Sequence, residues 1–273
     1  MAHWTEELFK KHPELFVGHI EERLEQAPGE VNALLRYLKE QGFQPERVLD
    51  MNCGIGRHSM ALAQHGIQVL GTDISSHYIQ IAAAKAREAK VAGRAKFKVA
   101  DMRQMASALA DEDPFDGIVC LWTSFGFYDS KTNENILRDC LKLVRPGGFF
   151  ALDIVNKDWL INNYQEKGFS RYNDWIVLEE RKLDLKKSRN HNLWFFLKQT
   201  GELTFKLENL IELDHHVWNL PELVTLFNST GWQFKAAYSG FGTGFTRRKI
   251  APLSPGDDTR RPPMLLTISY RPD

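Results

Sequence analysis

The residues best placed to do chemistry lie in one run, Val48-Leu49-Asp50-Met51-Asn52-Cys53-Gly54-Ile55-Gly56-Arg57-His58. A short apolar strand carries a carboxylate near its end and runs into a glycine loop that opens a helix. Glycine adopts positive φ and lacks a Cβ, so such a loop lets a ligand approach bare backbone. The helix N-terminus behind it offers free N–H groups and a positive dipole end, which suits a carboxylate or phosphate. Seventeen residues after Gly56, Asp73 ends a second strand, where an acid can accept two ribose hydroxyls. Asp101, in Ala100-Asp101-Met102, ends a third strand at the same sheet edge.

A nicotinamide fingerprint would read G-x-G-x-x-G after the strand. Here position 59 is serine, and an acid already precedes the loop, which disfavours that cofactor. No catalytic triad, HExxH run or Cys/His ligand spacing is present, so no metal is expected. His215 and His216 are adjacent on a strand, point to opposite faces and cannot chelate together. Cys53 reads as a loop residue, Cys120 as a small buried strand residue and His58 as a packed or exposed helix residue.

The elements that must hold these groups alternate. Strands are expected at 47–51, 68–72, 95–100, 115–121 and 149–154, with helices at 57–64, 75–92 (closed by Gly93) and 133–143. The turn Arg145-Pro146-Gly147-Gly148 precedes the fifth strand. Strands separated by helices pair in parallel through right-handed crossovers, and their ligand lies beyond the C-terminal strand ends. Residues 1–43 read as helical, with interruptions at Pro13 and at Ala27-Pro28-Gly29. From 183 to 214 the period becomes two, with turns at Ser188-Arg189-Asn190 and Thr200-Gly201-Glu202, so antiparallel strands with one wet face are expected. Leu193–Leu197 stands out there as an apolar-aromatic run, and Asn209 falls in the apolar register of its strand. Asn219 and Glu222 form a capping box for a late helix, and strands at 232–238 and 265–270 close the chain. Ala251 to Pro263 is rich in proline and charge and reads as a mobile loop.

Lys+Arg and Asp+Glu are each 35, so the formal net charge is zero and bulk charge drives the chain onto neither nucleic acid nor lipid. Three scattered cysteines form no CxxC pair, which points to a reducing, cytoplasmic setting. No stretch reaches the ~18 apolar residues a membrane span needs. The acidic, aromatic N-terminus is unlike a signal peptide.

In these motifs the chain resembles the class I S-adenosylmethionine-dependent methyltransferases. The matching residues are Val48 to His58, Gly71-Thr72-Asp73-Ile74-Ser75, Ala100-Asp101-Met102, Phe115-Asp116-Gly117-Ile118-Val119-Cys120 and Leu143-Val144-Arg145-Pro146-Gly147-Gly148-Phe149. They cover roughly residues 45–155 in order. A further likeness is to the branch with a Ser-Phe-Gly segment after strand four, here Ser124-Phe125-Gly126, and an antiparallel insertion after strand five. Small-metabolite enzymes are common in that branch.

The resemblance implies an α/β, Rossmann-like, seven-stranded methyltransferase sheet with an antiparallel β lid. It divides the chain into a helical cap at 1–44, a cofactor-binding core at 45–158 and 215–273, and a lid at 159–214. It implies S-adenosylmethionine as cofactor and S-adenosylhomocysteine as product. Gly54 and Gly56 would meet the methionine moiety with Arg57 beside them, and Asp50 would order the loop. Asp73 would hold the ribose with Ile74 next to it, Asp101 would take the adenine amino group, Met102 would flank the ring, and the Leu121 backbone would face the ammonium. Asn52 stands where the family usually has glycine; it tolerates left-handed φ next best, so the loop survives, and its amide has reach to the ligand.

The expected activity is in-line methyl transfer to N, O or C of a small metabolite. Trp122, Phe125, Phe127, Trp159 and Trp194 are candidate pocket walls, and Tyr128 and His216 are candidate proton-handling groups. Two alternatives stand beside it. One is RNA or protein methylation using the basic cluster Arg247-Arg248-Lys249 and Arg260-Arg261, which net charge zero disfavours; the other is a non-catalytic cofactor-binding module. A monomer or homodimer with a small-molecule partner is expected.

Overall fold

Helices open the chain in the computed structural model, which describes residues 3–241 and 263–273. α1 (Trp4–Glu6) continues into a π-helical turn (Glu7–Lys11), and Pro13 starts α2 (Glu14–Glu21). α3 (Ala27–Glu40) corrects the expected break: Ala27-Pro28-Gly29 is its first turn, not an interruption. A proline there loses nothing, because the N–H it lacks has no helical partner in the first turn. The correction places Glu30 on a helix, where it matters below.

Alternation then proceeds as β1 (Arg47–Met51), α4 (Arg57–Gln64), β2 (Gln68–Asp73), α5 (Ser76–Glu88), β3 (Ala95–Val99), α6 (Met105–Ala108), β4 (Phe115–Cys120), α7 (Ser130–Leu143) and β5 (Val144–Val155). α5 stops four residues before the expected end, because Lys90 rather than Gly93 takes positive φ, at 58°. α7 starts three residues earlier than expected, because Asp129 caps it through the Thr132 N–H. After α8 (Lys157–Asn162) come β6 (Lys167–Tyr172), β7 (Trp175–Asp184), β8 (Arg189–Gln199) and β9 (Phe205–His216). α9 (Leu220–Ser229), with its capping box, then leads to β10 (Gln233–Tyr238) and β11 (Met264–Tyr270).

The first sheet has seven strands in the order β10-β11-β5-β4-β1-β2-β3. Its first five strands in the chain are parallel; β11 runs antiparallel to both β5 and β10. Helices cover both faces, so β1 and β4 are buried nearly throughout and read as apolar runs. Strand order reverses at β1, between β4 and β2, so a crevice opens beyond the C-terminal ends of these strands.

The second sheet, β6-β7-β8-β9, is antiparallel throughout. The turn between β7 and β8 occupies 185–188, with Ser188 at φ 53°, so Arg189 and Asn190 belong to β8 and not to the expected turn. β9 carries a bulge where Asn209 pairs with Phe196 and Leu207 with Leu197. The extra residue breaks the simple alternation, so Leu207 does not share the buried face of Ile211 and Leu213. The inner face of this sheet packs on α1, α2 and the π-helical turn through Leu8, Leu15, Tyr172, Phe196 and Ile211. The basic cluster at Arg247 to Arg261 and nearly all of the Ala251 to Pro263 segment lie outside the described residues. Among the described residues no helix is long and apolar enough to cross a membrane.

Candidate active site

The crevice at the strand ends opens into a cavity of about 420 Å³, bounded by the first sheet, the N-terminal helices and the inner face of the second sheet. From the core side it is lined by Asn52, Gly54 and Arg57 after β1, Asp73 and Ile74 after β2, Asp101 and Met102 after β3, and Leu121 and Trp122 after β4.

The glycine loop is held from both sides. Gly54 and Gly56 take φ of 55° and 79°, and Asn52 takes 61°, the left-handed region that asparagine tolerates. The Asn52 amide donates to the Ser124 carbonyl at 2.7 Å. Below the loop, Ser59 Oγ donates to the buried Asp50 carboxylate at 2.5 Å. Burial pushes the Asp50 carboxyl up to about 7. Asp50 therefore ties β1 to the first turn of α4 without lining the cavity, and Gly56 caps α4.

Asp73 faces the cavity. Its Oδ2 accepts the Gly54 N–H and its Oδ1 the Ser75 N–H, each at 2.9 Å. Burial raises its carboxyl to about 6, and the backbone N–H groups oppose that rise. Asp101 also lines the cavity, with both oxygens engaged by Arg103, whose bonds outweigh burial and hold the carboxyl below its usual range.

Trp122 and Thr123 both take φ of 57°, two successive non-glycine residues in the left-handed region. Each costs of order 1–3 kcal/mol and persists only where surroundings over-determine it. Here Asp153 on β5 does so: its carboxylate accepts the Trp122 N–H at 3.1 Å and its carbonyl accepts the Thr123 N–H at 2.9 Å. The buried Asp153 carboxyl is pushed up to about 8 by burial, and its Oδ1 has no partner. The Trp122 ring faces the Arg57 guanidinium, 5.3 Å from carbon to centroid, and stacks on His19 at 5.5 Å. Arg57 and His58 share one oxygen of Glu30, with His58 at 2.7 Å, and all three side chains are buried. Burial and the Arg57 charge lower His58 to about 4, so its ring is neutral at pH 7.

Of the candidate walls, Trp122, Phe127 and Trp194 line the cavity; Phe125 instead stacks on Trp218, and Trp159 on α8 does not line it, whereas Leu160 does. Gly126 is required beside them, at φ 97°, because a Cβ there would lie 2.6 Å from the Trp218 ring. Tyr128 lines the cavity with its hydroxyl 3.3 Å from Thr5 Oγ1, and burial raises its pKa, so it stays protonated at neutral pH. His216 packs on Trp218, with centroids 4.3 Å apart, and is not in the wall; His215 is. Burial, then the charge of Arg189, lowers His215 to about 4.

Two groups of lining residues were not among the sequence candidates. Trp4, Phe9, Phe16 and His19 come from the N-terminal helices, fastened by Trp4 Nε1 to the Asp214 carbonyl, Tyr78 to Pro13 and Tyr172 to Leu15. Glu179, Arg181, Asn190 and Asn192 come from β7 and β8. Period two from Trp194 would have found Asn192 and Asn190 on the same strand face.

A sequence profile described as a methyltransferase domain matches residues 48–148. The chain is 33% identical over 114 residues to a ubiquinone biosynthesis O-methyltransferase of Leptothrix cholodnii, covering 41% of this chain and 45% of that one. It is 30% identical over 137 residues to the glycine N-methyltransferase of Rattus norvegicus, covering 47% and 46%. It thus spans less than half the length of these curated relatives. A crystal structure of an S-adenosylmethionine-dependent methyltransferase from Clostridium acetobutylicum shares the fold, with a TM-score of 0.72, 14% identity, and coverage of 93% of this chain and 97% of that one. With the glycine loop, the acids at the ends of β2 and β3 and the strand order in agreement, residues 48–148 match a methyltransferase domain, and the fold is the one seen in that S-adenosylmethionine-dependent methyltransferase.

Proposed function

We propose that this protein transfers a methyl group from S-adenosylmethionine to N, O or C of a small acceptor held beneath the second sheet. One observation carries the reading: a single cavity joins the Gly54, Asp73 and Asp101 edge to the aromatic and polar inner face of that sheet. Its volume is in the range of small-molecule sites. The donor set suits the cofactor. Gly54 offers bare backbone, Asp73 a carboxylate for a diol, and Ile74 and Met102 apolar surface for a flat ring. Arg57, neutralised on its far side by Glu30, is the cation for the methionine carboxylate. We retain the division into a cap at 1–44, a core at 45–158 and 215–273, and a lid at 159–214, and, from three free buried thiols, a cytoplasmic setting.

When bound, S-adenosylmethionine supplies a sulfonium methyl that is already electrophilic. The chain therefore has to orient the acceptor at near-attack distance and exclude water. Trp4, Phe9, Phe16, Trp122 and Trp194 provide the dry wall, and Asn190, Asn192 and Arg181 provide hydrogen bonds to fix orientation. Where the acceptor arrives protonated, we assign proton acceptance to His215, in place of His216, because His215 is neutral at pH 7 and lines the cavity; Tyr128 serves as a hydrogen-bonding wall.

Methyl-labelled S-adenosylmethionine incubated with a panel of small amines, phenols and carboxylates tests the proposal. Label is expected in an acceptor and lost in Asp73→Ala. Cofactor binding without transfer to any member would favour the non-catalytic module.

A further inference from the structure

The inner face of the second sheet carries two asparagines whose hydrogen bonds the fold leaves incomplete. Asn190 and Asn192 alternate with outward residues on β8, so both share the inner face of Phe196. Both line the cavity, and they are only 6% and 5% exposed. The Asn192 amide nitrogen donates to the Asn190 carbonyl at 3.1 Å, which fixes the orientation of that group. Its Oδ1 then makes no hydrogen bond among the described residues. Asn190 Oδ1 accepts the Tyr164 hydroxyl at 3.4 Å, and the N–H groups of its amide are without a partner among the described residues. Buried polar groups are as a rule hydrogen-bonded, so a donor and an acceptor left open side by side on a cavity wall call for a ligand. The neighbouring charge is already matched: Arg181, across from Asn192 on β7, donates to Glu179 at 2.7 Å. Trp194, next on the same face, stacks with Phe16 at 5.8 Å and 26°, and both rings line the cavity as flat apolar wall.

We propose that Asn190 and Asn192 select an acceptor that carries a planar carboxamide; this rests on the reading that the acceptor lies beneath the second sheet. A carboxamide sets a C=O and an N–H side by side in one plane. The C=O accepts from the Asn190 amide, and the N–H donates to Asn192 Oδ1. A carboxylate offers acceptors only, and one of its oxygens would face Asn192 Oδ1 with the Glu179 charge close by. An ester has no donor for Asn192. A hydroxymethyl group rotates freely and loses that freedom when it is held, whereas the amide plane is preorganised. The flat wall at Trp194 and Phe16 favours an amide conjugated to an aromatic ring. Asn190 pairs across the strands with His215, so an amide held there also sets how far the reacting atom lies from the group assigned to the proton.

Four phenols that differ only in the group beside the hydroxyl test this: salicylamide, salicylate, methyl salicylate and salicyl alcohol. Each is titrated calorimetrically into the full chain saturated with S-adenosylhomocysteine. Salicylamide is expected to bind at least ~10-fold tighter than the other three, because a site built to hydrogen-bond a group rejects analogues that lack it. Asn192→Val should bring salicylamide to within ~3-fold of the methyl ester and leave the affinity for S-adenosylhomocysteine unchanged. The order of the four in the unmodified chain decides even where the variant fails to fold. Salicylate binding tightest would make Arg181 the anchor. That result, salicyl alcohol or the ester equal to salicylamide, no binding of salicylamide, or a preference that survives in folded Asn192→Val would each overturn the proposal while S-adenosylhomocysteine still binds. Failure of S-adenosylhomocysteine itself to bind would instead overturn the methyl-transfer reading, and this proposal with it.

Discussion

The Asn52 side-chain amide donates to the Ser124 carbonyl at 2.7 Å, so the loop after β1 and the loop after β4 are held as one unit at the head of the cavity. Asn52 does two jobs, since it also takes φ 61°. Asn52→Gly keeps the backbone and loses the tie, and should cost about 1 kcal/mol, one hydrogen bond's worth. Asn52→Val should cost at least ~1 kcal/mol more, because a β-branched residue is strained there. Urea denaturation of the two variants checks the order.

Glu30 holds Arg57 and His58 together in the interior. Removing the carboxylate leaves a buried guanidinium without its counter-charge. Glu30→Ala should destabilise the fold by about 3 kcal/mol or more, and Glu30→Gln by less, since the amide oxygen can still accept. Chemical denaturation reads both.

Asp153 makes stability depend on pH. Its folded carboxyl titrates at about 8, above its unfolded value, so its contribution is fully present below the unfolded value and is lost as pH rises through about 8. Between those values the slope is at most ~1.4 kcal/mol per pH unit. Asp153→Asn removes that titration. The melting temperature of the variant should fall less than that of the wild type between pH 6 and pH 8.5, and parallel curves would refute the assignment.

His215 and His216 separate by face. His215→Ala should lower kcat for an acceptor that must lose a proton and leave cofactor affinity unchanged. His216→Ala, which removes a ring packed on Trp218, should chiefly lower the melting temperature. The reverse pattern would return the base to His216.

Much of this was legible because parallel strands buried on both faces leave contiguous apolar runs, and because loops that meet a ligand with backbone need glycine or asparagine. Hence β1 to β4, the Asn52 to Gly56 loop, Asp73 and Asp101 stand where the spacing placed them, whereas β5 begins at Val144 and takes in residues 145–148, where the sequence reads as a turn before it. Other features depend on tertiary closure. Trp4, Phe9 and Phe16 look like ordinary amphipathic-helix residues until Tyr78 and Tyr172 fasten that segment over the cavity. Glu30 was hidden by a proline-glycine pair that reads as a break yet starts a helix. The choice between His215 and His216 turns on one strand's facing: His215 shares the face of the buried Ile211 and Leu213, and the bulge in β9 lies before all three.

The central claim is that the edge formed by Gly54, Asp73 and Asp101 binds S-adenosylmethionine. Calorimetric titration of the purified chain with S-adenosylmethionine and S-adenosylhomocysteine, beside Asp73→Ala and with NADH as control, tests it most directly. The account requires saturable binding to both, in the micromolar range or tighter, weakened at least ~10-fold by the substitution, which is about 1.4 kcal/mol. Binding unchanged in Asp73→Ala, or no binding of either ligand, would contradict it.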